Sequence, residues 1–464
     1  MVKLQFLGAT GTVTGSKFVL EVNGNRAMID CGLFQGFKEL RQRNWERLPI
    51  NPASIGWTLV THAHIDHTGY LPRLVRDGFT GPIYATKATA DLLKIMLPDS
   101  GRLQEEDAEY ANRKGFSKHE PAVPLYTERD AEVALKQVRP VNYEQAVRLS
   151  KFISARFIPA GHILGSSFIE VEITGRDTSP IKVLFSGDVG RYDEPILNDP
   201  AQVEEVDYLL VESTYGNRLH DEGDPKAKLA EIINQTVERG GKIVIPAFAI
   251  GRTQLLVYYL RELEDEGRIP VLPVAVDSPM AAEATRLYVR HKEDHDFDMQ
   301  ELASNNRSAL ATRKFRLVSG RNGSKALDAE SGPAIIVSPA GMATGGRVLH
   351  HLARYLPDPA SSVILVGYQA AGTRGRRIQE GEKEIKIHGE VIPVRARVES
   401  LGGLSAHADS AEILKWLRGF KRPPRTTFLI HGEPDSAEAL RDKIASELGW
   451  NVVIPAYKEI TELS

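Results

Sequence analysis

Cysteine is almost absent from this sequence: there is one, Cys31, in 464 residues. A lone thiol excludes an internal disulfide framework and any cysteine-built zinc cluster, and it fits a reducing compartment. Long apolar runs are missing as well. The opening MVKLQFLGATGTVTG has no stretch suited to a signal peptide or a membrane span, and no run of 18 apolar residues occurs later. The chain therefore reads as cytoplasmic, with no membrane partner. Neither charge is in marked excess, since 58 Lys and Arg stand against 61 Asp and Glu for a net charge of −3. Bulk charge then advertises neither nucleic acid nor membrane, and any polyanion site has to be local. The composition, 42% hydrophobic and 26% charged, is that of a folded globular protein, and the length suggests two or three domains.

Histidine is what the sequence does have, and it is unevenly placed. Four ligand-type residues, His62, His64, Asp66 and His67, fall within six positions of THAHIDHTG. The segment Trp57 to Thr61 before them reads as a strand, and TGYLPRLVRDG after them begins with leucines at helical spacing. Alternate residues share a side while the chain is extended, so His62 and His64 point one way, and the turn into the helix sends Asp66 and His67 another. Two adjacent metal ions suit that arrangement, because neutral imidazole and carboxylate are donors for zinc and similar metals.

HAHIDH resembles the HxHxDH signature of the metallo-β-lactamase superfamily, an αββα sandwich with one or two metals at its sheet edges. Further positions of that pattern occur in order: Asp30 in RAMIDCG, His162 in FIPAGHILGSS and Asp188 in KVLFSGDVGR, each where a strand pattern ends in a glycine-containing loop. Alone, Asp30 could cap a turn, His162 could be a loop histidine and Asp188 an Asx-turn residue. After YLLVEST, ending the strand pattern at Glu212, the sequence alternates apolar strands with amphipathic helices: KIVIPAF, VLPVAVDSP, AIIVSPAG and SSVILVGY, each of the first three followed by a helical pattern. That alternation predicts a parallel sheet flanked by helices. ESLGGLSAHADS then carries His407 and TTFLIHGEPD carries His431.

An acid at a strand end, an inserted α/β block, then SAHAD and IHGE resemble the β-CASP subgroup of the superfamily, and in particular the compact bacterial-type relatives of the endonuclease of mRNA cleavage and polyadenylation. The resemblance implies an α/β fold: an αββα metallo-β-lactamase domain from residues 1–208 and 396–464, and a parallel-sheet β-CASP lid at 209–395. It implies a cleft between the domains. It assigns two Zn2+ per chain, one held by His62, His64 and His162, the other by Asp66, His67 and His431, with Asp188 bridging. Such a pair of ions makes hydroxide available near neutral pH for attack on a phosphodiester, so Asp66 and Asp188 count as catalytic too. His407 is the expected general acid, Glu212 its orienting carboxylate. Asp30 would fix a metal-bound histidine through its other ring nitrogen.

Within the subgroup, RNA-directed members carry histidine where this chain has His431, whereas DNA-repair members tend to carry valine. Only 33 residues follow His431 and a first strand is read at Leu4 to Gly8, which leaves no room for the additional domains of the longer RNA-directed members. The expected activity is a ribonuclease acting on single-stranded RNA, endonucleolytic with 5′-exonuclease activity in addition. A nuclease for single-stranded DNA and a small-molecule hydrolase stand as alternatives, and homodimerisation is left open. The lid should contact RNA through Arg252 in IGRTQ, through Ser338, Gly341 and Gly345 of the glycine-rich SPAGMATGGR, and through Arg374 in GYQAAGTRGRR. HKEDHDFD, residues 291 to 298, reads as an exposed helix end.

Overall fold

The computed structural model describes residues 1–115, 120–174, 180–220, 223–304, 308–367, 369 and 372–464. It forms two compact units: Met1–Leu219 with His407–Ser464, and His220–Ala406. In the first unit, two seven-stranded sheets face each other. One runs Ile460–Leu463, Val2–Phe6, Phe18–Val22, Asn25–Ile29, Trp57–Leu59, Ile83–Thr86, Val138–Val141; the other runs Val452–Val453, Thr426–Ile430, Tyr208–Glu212, Ile181–Phe185, Ser167–Ile173, Ile153–Pro159, Val147–Arg148. Alternation along these strands sends one set of side chains inward, and Phe6, Phe18, Leu20, Phe157, Val171, Phe185 and Phe428 form the shared core. On the outer face of the second sheet, helices Ser410–Leu417 and Pro434–Leu448 bury Ile413, Trp416, Leu440 and Ile444 against Leu184, Leu209 and Leu429. Helix Lys87–Lys114 packs against strands Ile83–Thr86 and Val138–Val141 of the first. The layers are thus αββα, with both ends of the chain built in: Ile460–Leu463 pairs antiparallel with Val2–Phe6, and Thr426–Ile430 lies parallel to Tyr208–Glu212.

The second unit holds a six-stranded sheet in the order Phe315–Val318, Val274–Asp277, Ile335–Ser338, Ile243–Pro246, Ser362–Val366, Arg397–Leu401, all pairs parallel. The strand–helix alternation read from the sequence is present, as in Ile243–Pro246 followed by helix Arg252–Asp265 and Val274–Asp277 followed by Pro279–Arg290. Strand Phe315–Val318 and helix Arg321–Ala329 were not anticipated. Both unit borders fall about eleven residues beyond the expected 208 and 395. Pairing explains the shift: Tyr208–Glu212 is hydrogen-bonded into the first unit's sheet, and Arg397–Leu401 into the second unit's. Among the described residues, no helix is long and apolar enough to cross a membrane.

Candidate metal centre

The segment after strand Trp57–Leu59 stays extended to His64 (φ −54°, ψ 148°) and then turns into the short helix Ile65–Thr68. That turn needs a close approach of the Asp30 loop, which only glycine allows: a Cβ on Gly32 would lie 1.6 Å from the Asp66 carbonyl oxygen. Cys31 N–H donates to His67 O and Leu33 N–H to Ile65 O, so the loop after Asp30 is laced to the histidine loop.

Two groups of side chains converge there. Ligand atoms of His62, His64, His162 and Asp188 lie within 4.8 Å of one another, and so do those of Asp66, His67 and His431. His62 Nε2 and His162 Nε2 are 3.1 and 3.3 Å from His64 Nδ1, and each is 3.4 Å from Asp188 Oδ2. The other Asp188 oxygen, Oδ1, faces His67 Nε2 at 3.2 Å, and His431 Nε2 faces Asp66 Oδ2 at 3.3 Å. Asp188 stands between the two groups.

Donor and acceptor roles show what this cluster is short of. The Thr61 hydroxyl donates to Asp30 Oδ2 at 2.8 Å, so at 3.1 Å it can only accept from His62 Nδ1. His67 Nδ1 donates to Asp30 Oδ2 at 2.7 Å. The Thr214 hydroxyl donates to the His431 carbonyl at 3.0 Å and accepts from His431 Nδ1 at 3.1 Å. In its neutral form each of the three rings thereby keeps a lone pair on Nε2, aimed at a carboxylate oxygen. Lone pairs facing anions need a cation between them, and Asp188 Oδ1, buried, accepts no hydrogen bond among the described residues. The donor set therefore fits metal ions, and the nitrogen-rich composition fits zinc.

Burial holds three of the imidazoles neutral and is outweighed at His67. Burial, reinforced by the His67 charge, pushes His62 down to about 3. Burial likewise takes His64 down to about 4 against the pull of Asp66 and Asp188, and His162 well below its usual value. Those imidazoles are held neutral, the form that binds metal. His67 is raised, because Asp188 and Asp30 outweigh its burial. Asp188 itself stays well below the carboxylate range despite burial, held there by His431 and His67.

His407 lies just before helix Ser410–Leu417, its Nδ1 3.0 Å from Glu212 Oε2 and 3.8 Å from Asp188 Oδ2. Glu212 is fully buried at its strand end and also accepts the Val189 N–H at 2.6 Å. Burial would lower the imidazole, but the charges of Glu212 and Asp188 prevail and raise His407 to about 9. Nearby Asp409 caps the helix in a box with Glu412. All seven expected ligands, with His407, Glu212 and Asp30, are brought together in the first unit. Thr61 and Thr214 were missed, although each is next to or two residues from a site residue in sequence.

The residues expected to contact RNA lie in the second unit, and the structure gives several of them other duties. The Ser338 hydroxyl is buried and donates to Asp277 O at 3.1 Å. The Arg374 guanidinium donates to the carbonyls of Lys386, Ala343 and Thr344 at 2.9, 3.4 and 3.1 Å. Gln369 Nε2 donates to Gly341 O, and Gly375 N–H to Met342 O, so this turn's carbonyls are pulled inward. The amides of Gly341, Met342, Thr344, Gly345 and Gly346 have no acceptor among the described residues. Arg252 begins its helix and is largely buried. Tyr368, Ala370 and Ala371 of GYQAAG lie outside the described residues. HKEDHDFD does follow a helix end, but it is not exposed throughout: His291, Asp294 and His295 are buried, with His295 Nε2 donating to Tyr288 O at 2.6 Å.

Comparison with known proteins follows the same division. The Metallo-beta-lactamase superfamily matches residues 11–145, the Beta-Casp domain residues 253–378, and the Zn-dependent metallo-hydrolase RNA specificity domain residues 391–455. A protein named Ribonuclease TTHA0252 from Thermus thermophilus is 36% identical over 453 residues, covering 97% of this chain and 98% of its own. Transcription termination factor FttA of Methanocaldococcus jannaschii is 30% identical, covering 96% of this chain and 69% of its own, and an RNase J-like protein of the same organism is 30% identical, with 93% of each covered. A solved structure of a protein of unknown function from Enterococcus faecalis V583 aligns over 100% of both chains with a TM-score of 0.54 and 13% identity, a likeness of fold.

Proposed function

The chain belongs to the metallo-β-lactamase superfamily and, within it, to the β-CASP family, and from that premise we propose that it is a zinc-dependent ribonuclease hydrolysing phosphodiester bonds in single-stranded RNA, mainly endonucleolytically. The observation that carries the reading is the His407–Glu212 pair beside two converging ligand groups. Two zinc ions per chain would be held by His62, His64 and His162, and by Asp66, His67 and His431, with Asp188 shared. When bound, the ions supply acidity for water and neutralise charge on the phosphate.

The chain's own residues do the rest. Glu212 occupies His407 Nδ1, which leaves Nε2 as the atom that gives its proton to the departing oxygen. The Glu212 charge favours the protonated form of that ring. Asp30, Thr61 and Thr214 hold the Nδ1 side of three imidazoles, so their Nε2 atoms cannot swing away. In the second unit, the amides of Gly341, Met342 and Thr344 to Gly346, which have no acceptor among the described residues, would hold the RNA backbone with Arg252, while Ser338 and Arg374 keep that turn in shape.

The test is purified protein incubated with circular RNA, circular single-stranded DNA and linear 5′-phosphate RNA, with and without chelator. Chelator-sensitive opening of circular RNA is the expected result. Cleavage of the DNA circle alone would overturn the RNA assignment, and chelator-resistant cleavage would overturn the metal assignment.

A further inference from the structure

The unit that holds the ligand cluster has a short surface helix flanked by exposed aromatic rings. Helix Lys38–Arg43 follows the Asp30–Phe34 loop and buries none of its residues. Polar groups anchor it: Asn44, buried, exchanges two hydrogen bonds with the Phe34 backbone at 2.8 and 2.9 Å, and the Arg43 guanidinium lies over the rings of Tyr457 and Phe34 at 4.3 and 5.4 Å. The aromatic residues face solvent instead. Phe37 is 58% exposed and Trp45 51% exposed. Phe37 is the N-cap of this helix and Trp45 follows its C-cap Asn44, so the two exposed rings stand at its two ends, with the exposed Arg41 between them in sequence.

The segment carries four cations, Lys38, Arg41, Arg43 and Arg47, against two acids, Glu39 and Glu46. Lys38, Arg41, Arg43 and Arg47 have no carboxylate partner among the described residues, and of the two acids in the stretch Glu46 faces Lys458 at 3.9 Å. Exposed aromatic rings among unneutralised cations, on a chain of net charge −3, match single-stranded nucleic acid, which offers base faces for stacking and phosphates for pairing. The segment is also continuous with the catalytic neighbourhood, since Cys31 and Leu33 bond to His67 and Ile65.

We propose that Phe37, Arg41 and Trp45, with Lys38 and Arg47, form a second binding surface for single-stranded RNA that engages substrate extending beyond the cleaved bond. It rests on the ribonuclease reading and adds a length dependence to it. Bases stack on Phe37 and Trp45, and phosphates sit against the cations.

The experiment compares binding and cleavage of RNAs of about 4 and about 16 nucleotides, the span of site sizes for such surfaces, by wild type, Phe37→Ala/Trp45→Ala, Arg41→Glu/Arg47→Glu and Trp45→Phe, with oligomeric state measured in parallel. Both double variants should bind the longer RNA at least about tenfold more weakly, while zinc content and turnover of the short RNA stay as in wild type and Trp45→Phe retains affinity. Unchanged affinity for the longer RNA in both double variants overturns the proposal. So does conversion of a dimer to a monomer with RNA affinity intact, which would make this segment a contact between copies. Wild type that binds RNA without cleaving it would count against the ribonuclease reading alone, and the affinity comparison would still decide this one.

Discussion

Raising the pH from 6.5 to 9 should loosen the glycine-rich turn of the second unit by a calculable amount. His351, fully buried, has Nε2 2.8 Å from Asp277 Oδ2 and Nδ1 3.1 Å from Asp328 Oδ1. The other Asp277 oxygen accepts from Arg347 at 2.7 Å, and Arg347 in turn donates to Val318 O at 3.3 Å. Burial opposes the imidazolium, but hydrogen bonds and charge from the two carboxylates raise it from 6.5 to about 9. At about 1.36 kcal/mol per pH unit, that interval is worth about 3 kcal/mol. A folded-state value above the unfolded one stabilises fully below pH 6.5 and loses its contribution as pH climbs through 9. Global unfolding of two units is a poor probe of one network. Hydrogen exchange of peptides spanning residues 335–356, corrected for intrinsic rate, reads it locally. Wild type should lose protection across this window relative to His351→Gln, whose own curve should be flat. Parallel curves for the two proteins would refute the argument.

Four further outcomes follow from the site. His407→Ala should lower cleavage by about 10²–10⁴-fold with both ions retained, as elemental analysis will show; loss of an ion would make His407 a ligand. His431→Ala should weaken one ion before the other in a chelator competition. Thr214→Val should cost about 10–100-fold in affinity for that same ion, with Thr214→Ser close to wild type, because the hydroxyl fixes the His431 ring. Arg252→Ala should weaken RNA binding and flatten its salt dependence by roughly 0.7 in logarithmic slope for each phosphate that is no longer neutralised, without change in metal content.

The ligand-type cluster was legible because the residue types that suit metal binding stand at strand ends, and HAHIDH places four of them in one stretch. His407 and His431 were legible only through family resemblance, since a histidine 365 residues from Asp66 carries no local sign that it will lie 3.3 Å away. The threonines were not legible. A hydroxyl is compatible with nearly any surface, and Thr61 and Thr214 matter only because each has a single proton that is already committed to an oxygen. In the second unit, packing engages residues that looked free for a ligand. Ser338 and Arg374 look like ligand-binding residues in a glycine-rich context, yet their polar atoms are engaged by Asp277 O and by the turn's carbonyls. Side-chain type predicts what a residue can bond, and packing decides what it does bond.

Backbone conformation was also beyond sequence reasoning, and it ties the two halves of the metal centre together. Asp30 follows strand Asn25–Ile29 and His431 follows strand Thr426–Ile430, and both adopt the left-handed conformation, φ 56° and 49°. That conformation is strained for non-glycine residues, and they keep it where surrounding bonds over-determine it. Here the amide of Asp30 donates to Leu59 O at 2.9 Å and that of His431 to Ala9 O at 2.7 Å. Each strand therefore stops abruptly, and its next side chain is thrown sideways toward the cluster instead of continuing the up-down alternation of the sheet. A glycine would ease both turns, but it would remove the carboxylate that accepts from His67 and Thr61, and the imidazole that faces Asp66. The strain is retained because the chemistry needs a side chain at the one position where the backbone would prefer none.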